Sequence, residues 1–202
     1  MTDPRVDILE KTACYQGFFR LDRYRLRHRL FSGVWSRALV REVFERGHAA
    51  AVLPYDPMRD QVVLVEQFRI GALEAPGGPW LLEIVAGIIE PGETPEEVVR
   101  REAVEESGCT IQEVIPIYEY LVSPGGTSER ITLFCGKVDA ARAGGTHGAT
   151  DEDEDIRVVV MSADAAFAQM QAGKINAAAP IIALQWLWLN RDQVRRRWGA
   201  TP

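Results

Sequence analysis

The sequence predicts an α/β (α+β) fold, and three observations carry that reading. Residues 80–86 form a mostly apolar, strand-like run that leads through a Gly-containing loop into an acidic segment with helical character. Strand-like runs recur on both sides of that unit, over 14–45, 49–55, 62–68, 114–122, 130–138 and 156–161. A last helical pattern begins at Pro180 and sets Ile181, Leu184, Leu187 and Trp188 on one side. Strands mixed with helices at intervals bury their apolar faces as a layered domain of this class.

Residues 14–45 read as two or three antiparallel strands. Within them Arg23, Arg25, Arg27 and Arg29 alternate with Tyr24, Leu26, His28 and Leu30, a period of two that gives a strand one basic face. That face is either solvated or subunit-contacting, or it steers a phosphorylated substrate. Residues 49–55 and 62–68 flank an Asp-Pro-Met-Arg-Asp turn and read as a hairpin. The acidic helix has a marked start and stop. Thr94 suits the N-cap, Pro95 the first helical position, and Glu97 completes a capping box. Glu96 and Glu97 suit the positive end of the helix dipole, and Gly108 suits the C-terminal stop. Val98, Val99 and Ala103 supply a small apolar flank. Residues 140–155 make a Gly-rich, acidic connection too long for a simple loop. Ser162 caps a further helix that ends near Gly173, and 191–197 close the chain's last helix with cationic residues.

Glu102, Glu105 and Glu106 fall at i, i+3 and i+4 of the acidic helix. At 3.6 residues per turn they share an arc of roughly 100°. Like charges at i, i+4 cost a helix a few tenths of a kcal/mol per pair, and a bound cation would turn that cost into a binding site. A solvated helix face is the bland alternative. Arg100 and Arg101 answer part of the charge and leave a negative surplus, and Gly87, Gly92 and Glu93 give the preceding loop a defined shape.

Composition bounds the function. At 202 residues, 47% apolar and 26% charged, the chain suits one compact domain with an N-terminal extension. A net charge of −6 argues against a general nucleic-acid binder. Cys14, Cys109 and Cys135 are odd in number and lack paired spacing, which argues against a disulfide framework and a zinc site. Residues 1–13 lack the apolar core of a signal peptide, and no apolar run approaches the ~20 residues of a spanning helix. A cytoplasmic protein without membrane or nucleic-acid partners is expected.

The segment from Gly87 to Cys109 resembles the Nudix box: glycine, five residues, glutamate, seven residues, then Arg-Glu-aliphatic-x-Glu-Glu-x-Gly-aliphatic. Gly87, Glu93, Arg101, Glu102, Glu105, Glu106 and Gly108 are in register, and the small residues Ala103 and Cys109 fill the aliphatic positions. The segments 44–50, 66–69, 79–83, 123–129 and 151–156 are similar to bacterial ADP-ribose pyrophosphatases of this superfamily, and Pro124 fills a proline position about sixteen residues past the box. The resemblance implies an αβα sandwich around a mixed sheet with an N-terminal antiparallel β extension. It divides the chain into a dimerisation and substrate-contact region over 1–47 and a hydrolase domain over 48–202.

The implied activity is Mg²⁺-dependent hydrolysis of ADP-ribose to AMP and ribose 5-phosphate. Another nucleoside diphosphate sugar such as GDP-mannose, a flavin or a dinucleotide is the nearest alternative substrate. A non-catalytic sensor of ADP-ribose-like ligands is a different class of reading. Carboxylate oxygens suit Mg²⁺ or Mn²⁺. By resemblance Glu102, Glu105, Glu106 and the Ala86 carbonyl hold metal, with Glu154 an outer ligand, while Glu93 and Arg101 brace the loop. Glu152 takes the base role by the same resemblance, with Glu105 of the box the competing candidate; a solvated acidic loop over 151–155 is the plain alternative. Arg69 contacts the diphosphate, Phe18 and Arg41 sandwich adenine, and Ser123 and Glu129 face the terminal ribose. Core packing for Phe18 and an ion pair for Arg41 are the competing readings. Members of this type are homodimers with exchanged N-terminal strands, so a homodimer is expected.

Overall fold

The structure, a computed structural model, describes residues 3–148 and 154–200. It divides into two compact units, Met1–His48 with Leu121–Arg130, and Ala49–Tyr120 with Ile131–Pro202.

The first unit carries an antiparallel sheet in the order β1 (Val6–Gln16), β2 (Arg20–His28) and β3 (Leu39–Glu45). β1 begins eight residues before the first strand expected from the pattern (14 minus 6). Its sequence alternates poorly, and its support comes from β2: Asp7 pairs with Arg27 at 2.8 Å and Lys11 with the buried Asp22 at 3.0 Å. The Arg25 and Arg27 end of the basic face is thus partly neutralised by β1 carboxylates. Arg27 and Arg29 also lie over the Trp35 ring. The loop 121–130 joins this unit through the Phe44 N–H, which donates to the Gly126 carbonyl at 2.8 Å.

The second unit is built on a mixed sheet. Its strands are β4 (Ala49–Asp56), β5 (Gln61–Phe68), β6 (Trp80–Glu83), β7 (Val85–Ile88), β8 (Glu113–Leu121), β9 (Arg130–Lys137), β10 (Thr146–His147) and β11 (Ile156–Ser162). Among the described residues the order is β10-β11-β5-β4-β9-β8, with β6 against β5 and β7 against β4. β4 and β9 run parallel and the other registered pairs antiparallel. The hairpin of β4 and β5 pairs only at Tyr55–Val62 and Asp56–Gln61 before the strands part. β6 and β7 fill the opening, one on each strand. The single strand expected over 80–86 is therefore two, broken at the buried Ile84. A continuous apolar run cannot reveal a change of partner.

Helix α1 (Pro95–Ser107) packs Val98, Val99 and Ala103 on the sheet face formed by Ala50, Val52, Val63, Val65 and Val85. Helices α2 (Ala163–Gln171) and α3 (Ala178–Arg197) cover the opposite face, where Ala51, Leu53, Tyr55 and Leu64 meet Phe167, Ala183, Leu184 and Leu187. The layers are those of an αβα sandwich. α3 starts two residues before Pro180, which sits in the first turn, where its missing N–H costs nothing. Its buried side is Pro180, Ala183, Leu184, Leu187 and Val194. Trp188, expected inside, is 49% exposed and stacks on Phe167 at 5.5 Å. α3 is clamped to the β4–β5 turn: Arg191 pairs with Asp60 and Asp164, and Tyr55 donates to Asp60 at 2.5 Å.

Candidate active site

α1 is fixed at both ends by its own sequence. The Glu97 N–H donates to Thr94 Oγ1 at 3.3 Å, and Glu97 Oε2 accepts from the Thr94 N–H at 2.8 Å. Gly108 ends the helix in the left-handed region at φ 67°. With the valine flank on the sheet, Glu102 and Glu106 turn toward β7, while Glu105 stays exposed beside Arg101. The Ala86 N–H donates to Glu106 Oε2 at 3.2 Å. The Glu102 carboxylate lies so close over Gly87 that a Cβ there would overlap it. Strand β7 is thereby packed onto the carboxylates themselves.

The electrostatics follow from burial. Glu106 is 4% exposed, and its carboxyl is pushed up to about 8. Burial is the largest cause. The charges of Glu102 and Glu154 add to it, and the Ala86 N–H and the Arg69 charge oppose it. Burial also raises Glu102, against the pull of Arg101. Glu154 thus lies within electrostatic reach of both box glutamates.

Arg101 binds three carboxylates. Its Nε and Nη2 donate to Glu93 at 3.1 and 3.3 Å, and its Nη1 to Glu102 at 2.7 Å and Glu105 at 3.1 Å. Among the described residues no three acidic, imidazole or thiol groups converge as a ready-made ion cage. The donor set nevertheless fits a hard divalent cation: it is all carboxylate oxygen, in negative surplus, and one member is buried at a cost that a cation would offset. Glu102, Glu105 and Glu106 are the residues that would hold it.

Arg69 follows β5 in extended conformation, and its Nε donates to Glu83 Oε2 at 2.7 Å. Successive residues of a strand alternate faces, so Arg69 shares a face with Gln67 and Val65, on the α1 side of the sheet. Gln67 is buried, and its Nε2 has no hydrogen-bond partner among the described residues. Neither Glu83 nor Gln67 is singled out by the sequence pattern; the available sign was a polar residue near the end of an otherwise apolar strand.

The other expected site residues fall in the first unit. Phe18 is 87% exposed, which removes core packing as its explanation. It meets Phe19 edge to face at 4.8 Å. Arg41 Nη1 donates to the Val40 carbonyl at 2.7 Å, and no carboxylate pairs with it among the described residues. Arg20 lies opposite Glu45 and Tyr24 opposite Arg41, so four residues of strand, about 13 Å, separate the Phe18 end of β2 from Arg41. Within one chain the structure does not bring these two together. Ser123 and Glu129 are brought into one closed loop. The Ser123 carbonyl accepts from the Gly126 and Thr127 N–H groups at 3.0 Å, and the Val122 N–H donates to the Glu129 carbonyl at 3.1 Å. Glu129 itself is buried beside Arg46 at 3.5 Å. Glu152 lies outside the described residues.

Comparison with known proteins adds a family. The NUDIX domain model matches residues 45–185. Over 194 residues the chain is 53% identical to the ADP-ribose pyrophosphatase of Escherichia coli (strain K12), covering 96% of this chain and 93% of that one. It is 45% identical to the ADP-ribose pyrophosphatase of Haemophilus influenzae, over 96% and 90% of the two chains. It is 34% identical to the GDP-mannose pyrophosphatase of Pectobacterium atrosepticum, over 92% and 94%. Among solved structures, one described as an ADP compounds hydrolase superposes with a TM-score of 0.73 at 19% identity, over 96% of this chain and 99% of that one. That last likeness speaks to the fold.

Proposed function

The chain belongs to the Nudix family, and from that membership we propose that it hydrolyses the diphosphate bond of ADP-ribose to AMP and ribose 5-phosphate, with Mg²⁺ as its cofactor and Mn²⁺ as a substitute. The observation that carries the reading is the carboxylate face of α1, with Glu106 buried against the Ala86 backbone and Arg69 in its field.

In this reading Glu102, Glu105, Glu106 and the Ala86 carbonyl would hold the cation, and Glu154 would serve as an outer ligand. A bound divalent ion supplies Lewis-acid polarisation of the diphosphate and a more acidic water. Arg69 answers the diphosphate charge, and Glu83 fixes the direction of its guanidinium. The nucleophile is water attacking one phosphorus. Glu152 takes its proton, with Glu105 the competing base. Phe18 and Arg41 bind adenine, a stacking that suits a guanidinium and an aromatic ring, and Ser123 and Glu129 face the terminal ribose.

The separation along β2 of its Phe18 end from Arg41, four strand residues or about 13 Å, supports a homodimer in which Phe18 of one chain and Arg41 of its partner stack on one base. Exchange of N-terminal strands would produce that arrangement. Residues 1–47 are then the dimerisation and substrate-contact region, and 48–202 the hydrolase domain. Free cysteines at 14, 109 and 135 fit a reducing, cytoplasmic setting. Among the described residues no helix is long and apolar enough to cross a membrane, and the net charge of −6 gives no reason to expect a nucleic-acid partner.

Two measurements test the reading. A panel of ADP-ribose, GDP-mannose and dinucleotides should give the highest kcat/KM for ADP-ribose; a preference for GDP-mannose would move the chain to the other relatives' specificity. Glu106→Gln should lower kcat by about 10²-fold or more, whereas a ligand sensor would bind ADP-ribose unchanged and show no turnover to lose.

A further inference from the structure

We propose that Arg101 is a resident counter-cation as well as a brace: it occupies Glu102 and Glu105 in the metal-free protein and yields them to an incoming divalent ion, keeping only Glu93. This rests on the metal-dependent reading above.

The geometry separates the two duties. The Nε–Nη2 edge of the guanidinium faces the Glu93 carboxylate, at 3.1 and 3.3 Å, in the forked arrangement that arginine makes with carboxylates. The Nη1 end points the other way along α1, to Glu102 at 2.7 Å and Glu105 at 3.1 Å. A brace between loop and helix needs only the first edge. The second edge engages two of the carboxylates that a metal would use.

Elementary electrostatics gives a reason for the second engagement. Glu102 is largely buried and has Glu105, Glu106 and Glu154 as its acidic neighbours. Left without a cation, the ionised members of this group would repel one another, and Glu102 and Glu105 would loosen the turn of α1 they share. A guanidinium relieves the repulsion, but it carries one charge and spends most of its fork on Glu93. A divalent ion brings two charges to the same oxygens. The exchange breaks the Arg101–Glu102 and Arg101–Glu105 pairs, forms metal–carboxylate contacts in their place, and leaves the Arg101–Glu93 pair intact. The metal-free site is thereby kept folded, and the metal binds more weakly than the bare carboxylates would allow.

The test is a titration of Mn²⁺ into the full-length protein without substrate, read by calorimetry and by the paramagnetic signal of free Mn²⁺. Wild type should bind. Arg101→Gln should bind about fivefold tighter, the scale of losing two competing ion pairs, while its metal-free melting temperature falls by a few degrees. Glu93→Gln should bind more weakly, because the freed guanidinium settles on Glu102 and Glu105. Opposite signs for the two variants are the mark of exchange. If Arg101 only braces the loop, both variants weaken Mn²⁺ binding, and that result overturns the proposal. Should Arg101→Gln not fold, Arg101→Lys carries the same comparison: a point charge cannot span three carboxylates, so exchange predicts tighter binding than wild type and a brace predicts weaker. Absence of Mn²⁺ binding by wild type would overturn the metal-dependent reading and the exchange with it, whereas binding by wild type with weakened variants overturns the exchange alone.

Discussion

Glu106 accepts a hydrogen bond from the Ala86 N–H at 3.2 Å and is buried, with Glu102, Glu154 and Arg69 in its field. In the metal-free protein its pKa of about 8 stands above the ordinary 4.5 of a glutamate. Between those values the folded chain holds a proton that the unfolded chain has released. Stability from this group is therefore complete below about pH 4.5 and is lost as pH rises through 8. Thermal melts in chelator should show a falling Tm from pH 5.5 to 8.5, a flatter profile for Glu106→Gln, and recovery at pH 8.5 on adding Mg²⁺. A wild-type Tm that climbs over that range contradicts the burial argument. At this scale the box glutamates, Arg101 and Gly87 were legible, because helix periodicity and fixed spacing are properties of neighbouring residues. The Arg69–Glu83 pair and the buried Gln67 were not, because each depends on which strands lie side by side. Phe18 was open between core and ligand until its exposure decided against the core.

Among the elements, α1 was the most legible, since its cap, first-turn proline, acidic start and glycine stop are all local signals. Thr94→Ala removes the side-chain half of the capping box and should cost about 1 kcal/mol, measured as a shift of the urea midpoint with unchanged slope; no shift would mean that the packing of Val98 and Val99 alone fixes the helix start. Strands were legible as runs and less so as partners. β6 and β7 share one apolar stretch, and only the parting of β4 and β5 divides it. β1 was foreshortened because its sequence alternates poorly and its pairing with β2 is not visible in the run itself. In α3 the helical period was right, while the buried stripe lies on Ala183, Leu184, Leu187 and Val194, since the Arg191–Asp60 clamp fixes the helix's rotation and leaves Trp188 to cover Phe167 from outside.

For the whole molecule, the layered second unit supplies a rigid sheet from which α1 and Arg69 present charge on one face. The first unit presents Phe18 and Arg41 at separate places on a three-stranded sheet. If each adenine is bound by Phe18 of one chain and Arg41 of the other, Phe18→Ala and Arg41→Ala are each poor enzymes alone. Co-refolding the two in equal amounts should then restore roughly a quarter of wild-type sites, those in mixed dimers with one intact pair; activity no higher than the average of the two variants would place both residues in the same chain's site. The proposed function rests on the chemistry of one bond. Purified protein incubated with ADP-ribose and Mg²⁺, with products resolved by chromatography and mass, should yield AMP and ribose 5-phosphate in equal amounts, and none with chelator present. ADP-ribose recovered intact with Mg²⁺ present would contradict it.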